Sequence, residues 1–214
     1  MSSMKKVGVF GGSFDPPHIG HRALVEAALE MLPLDEIWVV PVGLPVHRQL
    51  SLHVSAEQRL AWVETMFLDL PQVQVMDWEV RKSKSTPSIE TMRNVVSCSD
   101  AVPCWLMGMD AWKGLPDWVA YPEHRKLCNM VVFSRQGEMK VQHGDWMEVT
   151  EPSQILNAKP GHVYHVEAGL PDVAATKIRQ DILTGKQVST VLDARIANEI
   201  QSAYKHKGSN GVNE

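Results

Sequence analysis

The sequence predicts an α/β fold, a doubly wound parallel sheet with a ligand crevice at the carboxyl ends of its strands. Short apolar runs with a β-branched bias alternate with stretches whose apolar residues recur every three or four positions, which is the rhythm of βαβ units. Several of the runs, Ile37-Trp38-Val39-Val40 and Val102–Gly108 among them, are apolar at nearly every position, as strands buried on both faces are. The first run ends in a glycine turn that leads straight into a helix, and the free N–H groups of such a helix favour an anion.

Val7-Gly8-Val9-Phe10 opens the first strand. Gly11-Gly12 supplies backbone able to adopt unusual dihedrals and approach a ligand, and Asp15-Pro16-Pro17 stops the strand. A helix follows from near Gly20, with Leu24, Ala27, Ala28, Met31 and Leu32 on its inner face. His18 and His21, three apart at the mouth of this helix, lie on one face and can both donate to a single phosphate, with Gly20 leaving room for it. No hydroxyl or thiol stands beside a general base, so the turn suits stabilising a transferring phosphoryl group better than covalent attack. Asp15, His18 and His21 also read as metal ligands, but no further His or Cys pair completes a site, so no protein metal site is expected.

Pro33 and Asp35 break the first helix, and strand Ile37–Val40 completes a right-handed βαβ unit whose strand ends share the crevice. The loop Pro41–Arg48 then carries His47 and Arg48, groups suited to a polyphosphate. Ser55-Ala56-Glu57-Gln58 caps a scaffold helix bearing Leu60, Val63, Met66 and Phe67. Val73–Asp77 is a third strand, the basic run Arg81–Ser85 a solvated turn, and Ser88 the N-cap of the next helix. The fourth strand, Val102–Gly108, meets Asp110 at the start of a short helix; that carboxylate is either an N-cap or a ribose acceptor. Met130–Phe133 is a fifth strand, 138–160 an irregular connection with a short helix around Ile155, and Val163–Val166 a further strand. Thr176 and Arg179 share a face of the helix that Gly185 ends, and arginine's planar fork suits two phosphate oxygens. Asp193–Lys205 is a last amphipathic helix. Trp38, Trp62 and Trp105 are expected to be packing residues.

At 214 residues and 44% hydrophobic, the chain has enough apolar surface for one core; residues 1–207 are expected to form a single domain and 208–214 a flexible tail. A net charge of −4 gives no basic field for a nucleic acid polymer, which favours a mononucleotide partner. Cys98, Cys104 and Cys128 are odd in number and lack paired spacing, which points to reduced thiols and a cytoplasmic location. The first apolar run is too short for a signal segment, and no stretch approaches membrane-spanning length.

The segment Gly-Gly-Ser-Phe-Asp-Pro-Pro-His-Ile-Gly-His at 11–21 resembles the nucleotidyltransferase signature G-G-[ST]-F-D-P-x-H-x-G-H, in the form most like the nicotinate-nucleotide adenylyltransferase family. Further segments follow in that family's order. Residues 45–48 resemble P-P-H-[KR], with Val46 in place of the second proline. Residues 86–92 resemble S-Y-T-x-x-T-L, with Pro87 for the tyrosine and Ser88 for the threonine. Gly108–Trp118 resembles G-x-D…L-x-x-W, 133–137 the R-x-G turn, and 173–179 I-S-[SA]-T-x-[IV]-R with Ala174 for the first serine.

The resemblance implies a Rossmann-like nucleotidyltransferase fold and adenylyl transfer in NAD biosynthesis. The 5′-phosphate of nicotinic acid mononucleotide would attack the α-phosphate of Mg-ATP, giving deamido-NAD and pyrophosphate, with Mg2+ arriving on ATP. It also implies His18, His21 and Arg179 as catalytic residues. Gly11, Gly12, Ser13, Phe14, Gly20, His47, Arg48 and Thr176 would hold ATP and its phosphates. Ser88, Gly108, Asp110, Trp118 and Arg135 would hold the mononucleotide, Trp118 by stacking on the pyridine ring. Three rivals stand beside this reading. They are an enzyme preferring nicotinamide mononucleotide, one using pantetheine phosphate, and, because of Val46, Pro87 and Ala174, a nucleotide-binding sensor without catalysis. Gly108–Trp118 argues against the second, and the retention of both histidines against the third.

Overall fold

A computed structural model describes residues 5–44, 54–98 and 102–205. Their strands form a seven-stranded, all-parallel sheet in the order β3-β2-β1-β4-β5-β7-β6. These are β1 (Val7–Gly12), β2 (Glu36–Pro41), β3 (Val73–Val75), β4 (Cys104–Gly108), β5 (Asn129–Ser134), β6 (Met147–Val149) and β7 (His162–Glu167). The chain winds outward from β1 through β2 to β3, then crosses back to place β4 on the other side of β1. That reversal opens a crevice beyond the ends of β1 and β4, as it does wherever a doubly wound sheet changes direction. The α/β, Rossmann-like class expected from the sequence is the class observed.

Successive residues of the central strands face opposite layers. On one side Phe10, Ile37, Val39 and Leu106 pack against α1 (Ile19–Met31), α2 (Ala56–Phe67), α6 (Ala175–Leu183) and α7 (Ala197–Lys205) through Val25, Trp62, Ile178 and Ile200. On the other, Val9, Trp38, Trp105 and Met107 meet α3 (Ser88–Cys98) and α4 (Met109–Lys113) through Met92 and Trp112. Trp38, Trp62 and Trp105 are buried packing residues, as expected. Each fully buried side chain of this kind contributes about 1.5–3 kcal/mol relative to exposure, so both faces of the central strands are anchored by packing.

The connection 138–160 is more ordered than its lack of periodicity suggests. It contains the expected short helix, α5 (Pro152–Asn157), around a fully buried Ile155, but also β6, which pairs Met147 with His162 of β7. Three residues with exposed Met147 and Glu148 are too short for an alternation signal. The third strand ends at Val75 rather than Asp77, and the last helix begins at Ala197 rather than Asp193. The Asp193 carboxylate accepts from the Arg195 backbone N–H at 2.9 Å, a local turn that competes with helix. Ser55 caps α2 as expected, accepting from the Gln58 N–H at 3.1 Å, whereas Ser88 is the first residue of α3. The expected tail 208–214 lies outside the described residues. Among the described residues, no helix is long and apolar enough to cross a membrane.

Candidate active site

The turn after β1 is built differently from its sequence reading. Neither Gly11 nor Gly12 adopts positive φ; the left-handed residue is Phe14, at φ 46°. The glycines serve close approach instead: a Cβ on Gly11 would stand 2.9 Å from the Trp105 ring, and one on Gly12 would stand 3.1 Å from the Phe14 ring. Phe14 is fully buried, with its ring edge-on to Phe10 at 5.5 Å and against His21 at 4.8 Å, and this packing holds an uncommon backbone conformation.

His18 is the N-cap of α1, and His21 stands three residues on. Their rings stack with centroids 3.7 Å apart, and His21 Nδ1 accepts the His18 backbone N–H at 3.1 Å. A neutral imidazole accepting through Nδ1 carries its proton on Nε2, so His21 is prepared as a donor. Burial lowers the pKa of His18 from 6.5 to about 4, and burial followed by repulsion from His18 lowers that of His21 well below its ordinary value. Both rings are therefore neutral near pH 7 in the free protein. A Cβ on Gly20 would stand 3.1 Å from the His18 ring, so glycine there makes room for the imidazole itself.

Both histidines line a cleft of about 480 Å³ at the β1/β4 crevice. Gly11, Gly12, Ser13 and Gly20 line it from the first turn, and Gly108 and Asp110 from the end of β4. Arg135 follows β5, and Thr176 and Arg179 come from α6. Asp110 is the second residue of α4, with its carboxylate 92% exposed. Arg135 pairs with Asp172 at 2.8 Å. Arg179 donates through Nη1 to the Asp15 carbonyl and through Nη2 to Thr176 Oγ1 at 3.2 Å.

Three predicted residues do not line this cleft. Phe14 lies beneath it as the support for His21. Ser88 and Trp118 meet elsewhere, around the fully buried His124: Ser88 Oγ is 3.3 Å from His124 Nε2, and the Trp118 ring is edge-on to it at 5.8 Å. His47 and Arg48 lie outside the described residues. Among the described residues, no group of three or more His, Cys, Asp or Glu is arranged to hold a metal ion.

The site also depends on residues that the sequence reading did not select. Arg59 of α2, 1% exposed, donates to the Ser13 carbonyl at 2.6 Å and the Gly43 carbonyl at 2.8 Å, tying the turn after β1 to the chain leaving β2. Its signal was available, since the apolar stripe through Trp62, Val63 and Met66 extends back one turn onto Arg59. Glu138 lines the cleft, held by Lys113 at 2.9 Å. His124 carried no pattern of its own.

Comparison with known proteins identifies the family. Residues 9–181 match the cytidylyltransferase-like family model. A probable nicotinate-nucleotide adenylyltransferase of Pseudomonas aeruginosa is 32% identical, over 95% of this chain and 98% of its own. One from Shouchella clausii is 37% identical over 73% of this chain and 84% of its own. In fold, the chain is similar to the Plasmodium falciparum nicotinic acid mononucleotide adenylyltransferase complexed with NaAD. The TM-score is 0.72 at 16% identity, with 92% of this chain and 95% of that one covered. The family-model match and the sequence likeness show that the chain belongs to the nicotinate-nucleotide adenylyltransferase family of cytidylyltransferase-like proteins.

Proposed function

We propose that this chain transfers the adenylyl group of ATP to nicotinic acid mononucleotide, giving deamido-NAD and pyrophosphate in NAD biosynthesis. Family membership supports the reaction class. The observation that carries the site assignment is the stacked His18–His21 pair facing the same cleft as Arg179. The mononucleotide phosphate oxygen forms a bond to the α-phosphorus, and the bond from that phosphorus to the bridging oxygen breaks, its electron pair leaving with pyrophosphate. A phosphate anion is a competent nucleophile near neutral pH, so the protein's work is positioning and charge stabilisation.

His21 donates through Nε2 to the α-phosphate as charge develops, and His18 orients the reacting phosphates. Backbone at Gly11, Gly12 and Ser13 lets the phosphate approach, while Thr176, Arg179, His47 and Arg48 hold the β- and γ-phosphates. Bound phosphate raises the affinity of the imidazoles for protons, opposing their burial in the free protein. Mg2+ arrives on the ATP polyphosphate. Asp15, the carboxylate nearest the histidines in sequence, is already engaged by Tyr204 and Arg179 and makes a poor resident ligand. Gly108, Asp110 and Arg135 line the part of the cleft left for the mononucleotide. Trp118 and Ser88 stand outside it around His124, so their contact with the pyridine ring requires those segments to move toward the cleft. The free thiols Cys98, Cys104 and Cys128 support action in the cytoplasm.

The test is pyrophosphate release from Mg-ATP with nicotinic acid mononucleotide and nicotinamide mononucleotide offered in parallel. A kcat/KM for the acid at least about tenfold above the amide is expected, since a hydrogen bond to a charged group is worth about 1.5–3 kcal/mol and about 1.4 kcal/mol is tenfold. Equal rates reassign the substrate, and no release with either overturns the reading.

A further inference from the structure

The C-terminal helix reaches the cleft through a buried chain of polar groups. Tyr204, on the inner face of α7 and 3% exposed, donates its hydroxyl hydrogen bond to Asp15 Oδ1. Asp15 is 2% exposed, and its Oδ2 lies 3.5 Å from Arg179 Nη1. The same Nη1 donates to the Asp15 carbonyl, so main chain and side chain of one residue both hold the guanidinium. A carboxylate so enclosed is costly unless paired and hydrogen-bonded, and here each oxygen has one partner. The Tyr204 ring already fills its place in the core beside Trp62, with centroids 6.4 Å apart. Packing there needs only the ring; the hydroxyl is the part that reaches the site.

We infer that Tyr204 is a positioning residue for the transfer reaction: its hydroxyl sets the Asp15 carboxylate so that Arg179 is presented at the phosphate end of the cleft. The inference rests on the phosphate-holding role proposed above for Arg179. Asp15 is thereby an orienting group, and a helix more than 180 residues away in sequence becomes part of the site's geometry.

A double-mutant cycle on the full chain tests the link, reading kcat and both KM values by pyrophosphate release, with thermal melting as a control. Tyr204→Phe keeps the ring and is expected to lower kcat/KM for ATP about tenfold, leaving KM for the mononucleotide within about twofold. Arg179→Ala is expected to cost about 10²-fold or more. In the Arg179→Ala background, Tyr204→Phe should change the rate by less than about twofold, because the group it positions is gone. Equal losses in both backgrounds, or wild-type kinetics for Tyr204→Phe, overturn the inference while leaving the role of Arg179 intact. Wild-type kinetics for Arg179→Ala overturn both. If Tyr204→Phe does not fold, Asp15→Asn approaches the link from its other side: it removes the charge facing Arg179, and should show the same non-additivity.

Discussion

The histidine turn and the Trp118 cluster are two regions that the sequence assigned to one site, and they are assembled in opposite ways. In the first, residues 11–21 are close in the chain, and the contacts that set the two histidine rings are local. His18 caps α1, His21 accepts its N–H one turn on, and Phe14 supports the second ring. In the second, Ser88 begins α3, Trp118 ends a 3-10 turn after α4, and His124 sits in another 3-10 turn at Glu123–Lys126. Trp118 and His124 are six residues apart and joined by turns, the Tyr121 N–H donating to the Trp118 carbonyl at 3.0 Å, but Ser88 reaches His124 only by the docking of α3. A motif within one turn carries its geometry wherever the turn goes; a cluster drawn from separate segments depends on how those segments dock.

The difference predicts different kinetic signatures. The largest effect belongs to the histidine turn. His21→Ala should lower kcat by about 10²–10³-fold, the usual cost of a lost transition-state donor, with KM for ATP moving less than about threefold. Steady-state pyrophosphate release measures this, and a loss confined to KM would make His21 a ground-state ligand only.

The next effect is on stability. His18 titrates near 6.5 when unfolded and at about 4 when folded, so between those values the unfolded chain binds more protons and stability falls as pH falls. The loss attributable to His18 is on the order of 3 kcal/mol across that window. Urea unfolding of the ligand-free protein from pH 7 to 4 should show it, and His18→Asn, which cannot titrate, should lose that much less.

The smallest effect belongs to the second cluster. Trp118→Ala should raise KM for the mononucleotide about tenfold, the worth of one aromatic stack, with KM for ATP unchanged. A matching rise for ATP, or none for either substrate, would detach Trp118 from the substrate and leave it a packing partner of His124.

Most of the histidine turn was legible because its residues are contiguous and their chemistry is distinctive. Its supports were not. Arg59 and Tyr204 each occupy an apolar-face position of an amphipathic helix, where periodicity reads only that the position faces inward. Whether the inward group meets hydrocarbon or a carbonyl depends on what is docked there. Edge strand β6 was missed because its partner, β7, supplies the order that three exposed or half-buried residues cannot encode.

The sequence by itself determined the strand and helix rhythm, the glycine-to-helix turn and the neighbouring histidines, because these follow from side-chain periodicity and short-range backbone geometry. Only the tertiary structure decided that Arg59 joins two strand ends. It alone decided that Asp15 stands between Tyr204 and Arg179, and that Ser88 meets His124. Each of these is a long-range contact whose partner is chosen by the docking of whole elements, and no local pattern specifies which buried group will meet which.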